Sequence, residues 1–316
     1  MVYRMRGRIV KATALAASCL VAALLVGCSV ISNITDGPSE PDNPGYLRDA
    51  TPQVLVPEPT GVEVIDDKKA TLDYSNTSQG YISVRSKMSD TRVKVLVNVV
   101  GKQYQYTIDP GDSYVTIPLS EGSGVYSVGV WENTTGDRYA SILAQDLDVQ
   151  LANEDLPFLY PSQYVNFSAG DQAVNLSAQL AEGATSEREA INQVYQYVCD
   201  TIDYDYDKIS TLASGYLPNN ADTLSSKMGI CFDYAVLTTS MLRAQGIPCK
   251  LIIGYAGSIY HAWIMVYSEG GKVHGYELPA NQYGLLDPTF DAAGAKSQDL
   301  SQLIGEGADY QPMFQY

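Results

Sequence analysis

The sequence predicts two folded regions in series, an all-β antiparallel sandwich of immunoglobulin-like type over residues 56–151 and an α+β domain over residues 152–316. Three observations carry this. Residues 60–151 alternate apolar and polar side chains with a period of two, between turns containing Gly, Asp and Asn. From about Asp171 the period becomes helical. Past Gly246 and Pro248 it returns to strands. A length of 316 residues suits two domains.

The N-terminus reads as a targeting segment. Arg4, Arg6, Arg8 and Lys11 precede an apolar run from Ala12 to Gly27, which is short for a stable spanning helix. The run ends Leu25-Val26-Gly27-Cys28, with slim residues where a signal peptidase needs extended backbone. This string resembles the lipobox of bacterial lipoproteins. The resemblance implies a signal peptide over 1–27, diacylglycerol on Cys28 and a protein anchored at the cell surface by lipid. Residues 28–55 are rich in Ser, Pro, Asp, Asn and Gly, and they read as a flexible linker.

Lys and Arg total 20 against 36 Asp and Glu, a formal charge of −16. Removing the four basic residues of 1–27 deepens it to −20. Such a surface repels phosphate backbones, which excludes nucleic acid as a natural partner. The 24 tyrosines against 5 phenylalanines suggest large side chains with polar tips near the surface. Three cysteines belong to the mature folded part, Cys199, Cys231 and Cys249. Their spacing matches no zinc pattern, and an odd number leaves at least one free thiol. Spacing does not decide whether Cys199 and Cys249 form a bridge.

In the β region, Val93, Val95, Val97 and Val99 share one face, while Arg92, Lys94 and Asn98 share the other with Leu96 as an exception. Tyr104, Tyr106 and Ile108 alternate with Gln103, Gln105 and Thr107. About seven or eight short strands fit this spacing. No catalytic cluster stands out there, so a spacer or binding module is the expected role.

In the second region, Ser186-Glu-Arg-Glu189 is a capping box before Ile191, Val194, Tyr195 and Val198 at helical spacing. The acidic string Asp203–Asp207 ends that helix. A second helix is expected from Cys231 to about Gln245, with Gly246 as its stop. Strands follow at Lys250–Tyr255, Tyr260–Ser268, Val273–Leu278 and Tyr283–Asp287, with a turn at Gly270-Gly271.

Gly229-Ile-Cys-Phe-Asp-Tyr-Ala235 places a thiol in the first turn of a helix, where unpaired N–H groups and the positive end of the dipole favour thiolate. Asp233 is placed to cap that start. A buried structural cysteine is the plainer alternative. A nucleophilic thiol needs a base. The chain holds two histidines, His261 in an apolar strand and His274 beside a Gly-rich turn. His261 is the better candidate, and His274 reads as a solvent-side residue. An imidazole base needs an acceptor on its other nitrogen. Asp287, ending Gly284-Leu-Leu-Asp-Pro288, offers one, ahead of Asp291 and Glu277, although Asp-Pro also starts ordinary loops.

The order Cys231, His261, Asp287, at separations of 30 and 26 residues, resembles the transglutaminase-like superfamily. So do Gly229–Ala235, Leu242-Arg-Ala-Gln-Gly-Ile-Pro248, Gly254-Tyr255, His261-Ala-Trp263 and Leu286-Asp-Pro-Thr289. The resemblance implies a papain-like fold with Cys231 as nucleophile, His261 as base and acid, and Asp287 as orienter. It implies a thiol acyltransferase or amide hydrolase acting on protein or cell-wall peptide amides through a thioester. No cofactor or metal is expected: Asp66-Asp67 and Asp203–Asp207 could hold calcium, but they lack an EF-hand pattern and read as solvated charge. Many members carry Gln after the cysteine, where this chain has Phe232, and no oxyanion side chain is assignable. The competing expectation is a catalytically silent surface protein that binds or assembles through its β-sandwich.

Overall fold

The computed structural model describes residues 47–135, 138–292 and 309–316. The expected signal peptide, Cys28 and the first part of the linker lie outside the described residues. Strands β1 (Val64–Asp66), β2 (Ala70–Asp73), β3 (Tyr81–Ser86), β4 (Val93–Val99), β5 (Lys102–Ile108), β6 (Tyr114–Pro118), β7 (Gly124–Thr135) and β8 (Arg138–Val149) fill the first half. They form two antiparallel sheets, in the orders β1-β2-β3-β6 and β5-β4-β7-β8. The four valines of β4 are buried, as are Tyr104, Tyr106 and Ile108 of β5, because β-branched and aromatic side chains fit a pleated, covered face. Val100 and Gly101 turn this hairpin with φ of 49° and 75°. Leu96, the exception to the alternation, lies opposite Gly129 of β7, and the Trp131 side chain covers that glycine.

The second half runs α1 (Gln172–Ala181), α2 (Glu187–Thr201), β9 (Asp203–Tyr204), α3 (Tyr206–Thr211), α4 (Asn220–Ser226), β10 (Met228–Gly229), α5 (Cys231–Ala244), β11 (Cys249–Ala256), β12 (Ile259–Ser268), β13 (Gly271–Val273), β14 (Tyr276–Leu278), β15 (Gln282–Leu286), α6 (Pro288–Ala292) and β16 (Tyr310–Gln315). Ser186 caps α2 by accepting from the Glu189 N–H, whereas the Glu189 carboxylate reaches Thr185 instead of returning to Ser186. Helix α5 is buried all round from Asp233 to Ala244 and packs against β11 and β12. Its sheet has the order β15-β12-β11-β16. Among the described residues no helix is long and apolar enough to cross a membrane.

Three sequence expectations change. The strand expected over Val273–Leu278 is interrupted, because His274 and Gly275 take φ of 49° and 96° and fold it into the β13–β14 hairpin. The end of the expected flexible linker is held in place. Arg48 and Gln53 donate backbone N–H bonds of 2.7 Å to Ala184 and Ala244, and Arg48 also bonds the Gln245 side chain at 2.9 Å. Many tyrosines are buried in a seam between the β half and the α+β half, away from the surface role that composition suggested. Tyr316 stacks on Tyr164 at 4.3 Å and meets Tyr104 and Tyr106 edge-on. Each ring fills the seam while most of its hydroxyls find partners, which phenylalanine cannot do. The described residues accordingly fall within one compact unit.

Strand β16 was not expected. It pairs with β11 through a register shift at Ile253/Gly254. A Cβ on Gly254 would lie 2.2 Å from the Gln311 carbonyl oxygen and 2.9 Å from Trp263, so only glycine admits this strand. Arg243 fastens the end of the chain segment. Fully buried, it donates to the carbonyls of Cys249 at 2.9 Å, Tyr160 at 2.7 Å and Tyr316 at 2.6 Å. Burial without a carboxylate partner lowers its pKa to about 10. Arg243→Met removes three charge-assisted bonds and strands buried carbonyls. It is expected to cost about 3 kcal/mol, read as a lower urea midpoint at unchanged slope.

Candidate active site

The start of α5 is built around Asp233. Its carboxylate accepts the Ile230 N–H at 2.8 Å, closing one of the open donors of the first turn. The same group accepts from Lys208 at 2.8 Å and from the Tyr216 hydroxyl, so α3 and the loop after it are tied to the helix that carries Cys231. A Cβ on Gly229 would sit 2.7 Å from the Asp233 Cβ, which explains the glycine before the cysteine. The approach is pinned by β9, which pairs in parallel with β10 and sets Tyr204 opposite Gly229.

Cys231 is half-buried, whereas Cys199 and Cys249 are buried, and all three are free thiols. Burial raises the pKa of Cys199 and pushes that of Cys249 up to about 12. Both are inert thiols at neutral pH. They donate weakly to the Pro288 carbonyl and to Thr239 Oγ1, so no Cys199–Cys249 bridge exists.

His261 lies on β12, opposite Gly254 of β11, and is 4 % exposed. Its Nε2 is 2.7 Å from Asp287 Oδ2. Its ring stacks on Phe290 at 4.6 Å with 10° between the planes. The Cys231 sulfur lies near enough to the ring to favour its protonated form. Burial alone would lower the imidazole pKa. The Asp287 carboxylate and the Cys231 sulfur outweigh it and lift the pKa to about 10.

Asp287 is fully buried at the end of β15. Its Oδ1 accepts the N–H groups of Thr289 and Phe290 at 3.1 and 3.2 Å, capping α6. Its Oδ2 accepts from His261 and from the Tyr310 hydroxyl at 2.7 Å. Residues distant in sequence therefore converge, with Cys231, His261 and Asp287 adjoining in that order.

The other candidates fall elsewhere. His274, expected at the solvent side, is mostly buried against Tyr195 with its Nε2 3.9 Å from Asp291 Oδ2. Asp291 accepts from the hydroxyls of Tyr195 and Tyr276 in a separate buried network. Glu277 is exposed on β14. Two residues of the site escaped sequence reading. Phe290 lies three residues past Asp287, a helical spacing that could have flagged it. Tyr310 sits on the unexpected β16 and had no local signal. Among the described residues no three His, Cys, Asp or Glu side chains cluster as a metal site.

A thiol at the N-terminus of a buried helix, facing an imidazole–carboxylate pair on an antiparallel sheet, is the layout of papain-like α+β folds. Residues 174–276 match the family profile described as the transglutaminase-like superfamily, and the chain carries a domain of that superfamily. The match includes Cys231 and His261 and ends before Asp287. A UPF0252 protein of Methanocaldococcus jannaschii is 28 % identical over 113 residues, 31 % of this chain and 32 % of its own length. The chain thus spans about a third of that relative. Among solved structures, a candidate cysteine protease from Cytophaga hutchinsonii is 14 % identical over 72 % of this chain and 69 % of its own, with a TM-score of 0.35. Red sea bream transglutaminase is 14 % identical over 66 % of this chain and 48 % of its own, with a TM-score of 0.28.

A folded-state imidazole pKa raised from 6.5 to about 10 means that folding favours the protonated ring. This contribution is whole below pH 6.5 and drains away as pH rises toward about 10. Asp287→Asn removes the carboxylate responsible. Urea midpoints of the wild type, measured against pH, are expected to fall through that window more steeply than those of Asp287→Asn.

Proposed function

We propose that this protein is a cell-surface thiol acyltransferase or amide hydrolase working through Cys231, His261 and Asp287. The observation that carries the reading is the buried His261–Asp287 pair, 2.7 Å apart, with a half-buried thiol close enough to the ring to favour its protonation. In this mechanism the Cys231 sulfur attacks a carboxamide or peptide carbonyl and a C–S bond forms. The C–N bond breaks as His261 passes its proton to the departing amine. Water or a second amine then attacks the thioester, gives a proton back to His261, and the C–S bond breaks to restore the thiol. Attack by water is hydrolysis; attack by a lysine amine is crosslinking. Asp287 holds the ring's tautomer and balances its charge.

The acyl donor in this reading is a protein or cell-wall peptide amide, and no cofactor enters the cycle. Lipid on Cys28 anchors the protein to the membrane from outside, supported by the lipobox-like string. The two N-terminal sheets serve as an immunoglobulin-like sandwich that carries or presents the catalytic half. The strand order β5-β4-β7-β8 beside β1-β2-β3-β6 supports it.

A thiol-directed chloroacetamide probe applied to the full-length protein, with the labelled residue read by mass, tests the reading. Cys231 is expected to take the label, and His261→Ala to slow labelling by about a hundredfold near neutral pH. Equal labelling of the two proteins would remove the case for an activated thiolate.

A further inference from the structure

Asp287 Oδ2 has two donors on one atom. The His261 ring nitrogen and the Tyr310 hydroxyl each lie 2.7 Å from it. Tyr310 is 8 % exposed and is held edge-on against Trp263 at 4.9 Å. Trp263 in turn shares the His261 face of β12. The strand that brings Tyr310 here is secured twice, by the glycine at 254 and by Arg243 on the Tyr316 carbonyl. A rigid, buried hydroxyl beside the acid is therefore a built part of the site.

We propose that Tyr310 is a positioning residue, whose hydroxyl fixes Asp287 Oδ2 and draws negative charge from it, so that the imidazolium of His261 more readily releases its proton to a departing amine. The proposal rests on the acyl-transfer reading above and adds a fourth side chain to it. A carboxylate oxygen that accepts from two donors holds each proton less strongly than one that accepts from a single donor. Loss of the hydroxyl leaves Asp287 Oδ2 with His261 as its remaining donor among the described residues, and the ring then keeps its proton to higher pH. Tyr310 is buried and faces an acid, which raises its own pKa, so it remains a neutral donor throughout.

Other groups face this cluster. Tyr204 from β9 and Tyr260 from β12 sense charge on Cys231. Tyr195 and Cys199 from α2 face Asp287 from behind, and Asp291 of α6 faces those two. None of them is hydrogen-bonded to Asp287 Oδ2, so among the described residues Tyr310 is the side chain that shares the atom His261 uses.

The test is carbamidomethylation of full-length protein by iodoacetamide, counted at Cys231 by mass, from about pH 4 to about pH 11. The rate rises once as the thiolate–imidazolium pair forms and again as the imidazolium loses its proton. Tyr310→Phe is expected to move the second rise up by about one pH unit. Trifluorotyrosine at position 310 keeps the shape and donates more strongly, and it is expected to move that rise down. Tyr195→Phe deletes a more deeply buried hydroxyl that bonds Asp291 instead, and it leaves the second rise in place. A second rise that His261→Ala abolishes but that neither change at position 310 displaces would overturn the role of Tyr310 and leave the acyl-transfer reading standing. A wild-type profile indifferent to His261→Ala would overturn both. If Tyr310→Phe does not fold, the fluorinated protein decides.

Discussion

A carboxylate buried to zero exposure dictates much of this architecture. The buried Asp287 side chain needs donors in place of the water it has lost. The fold delivers them from separate elements: two backbone N–H groups from α6, an imidazole from β12 and a hydroxyl from β16. Each donor carries a further demand. The N–H groups require a helix to begin at once, which Pro288 favours by fitting the first helical position. The imidazole requires its ring to stand in one plane, which Phe290 enforces by stacking. The hydroxyl requires a strand after α6 to return to the sheet, which the missing side chain at 254 permits.

The opposite side of the site follows a parallel logic with reversed charge. A helix start exposes N–H groups, and Asp233 satisfies one while anchoring Lys208 and Tyr216. The thiol therefore sits on a helix end that is braced from α3, and the imidazole sits on a strand braced from α6 and β16. Precision at the contact between sulfur and ring comes from these braces more than from either residue. Arg243 works at longer range. It is a buried cation paid in carbonyls, and it locks the ends of three segments beneath the sheet.

Much of the candidate site was legible in sequence because its chemistry is local. The glycine before Cys231, the helix after it, the apolar strand around His261 and the Asp-Pro step at Asp287 each announce themselves within a few residues. The strands of the β half were legible for the same reason, since alternation over Val93–Val99 is a local signal. What stayed hidden depends on distant partners. Val273–Leu278 reads as one strand until the left-handed backbone at His274 splits it, and that bend is held by an Asn192 side chain from α2. Arg48 and Gln53 look like linker because their partners, Gln245 and Ala244, lie about two hundred residues away. Tyr310 is one tyrosine among 24, distinguished only by the carboxylate it meets. The buried tyrosines of the seam mislead composition for the same reason.

The seam between the two halves has a mechanical consequence. Excision of the β strands would leave Tyr164 and Tyr316 with an uncovered aromatic face, and Gln315 without the Ser120 contacts that steady β16. Because β16 also bears Tyr310, the front sheets are coupled to the chemistry through a single six-residue strand. Replacing the β half would strip these contacts from the strand that holds Tyr310 against Asp287, so the two halves are mechanically one piece.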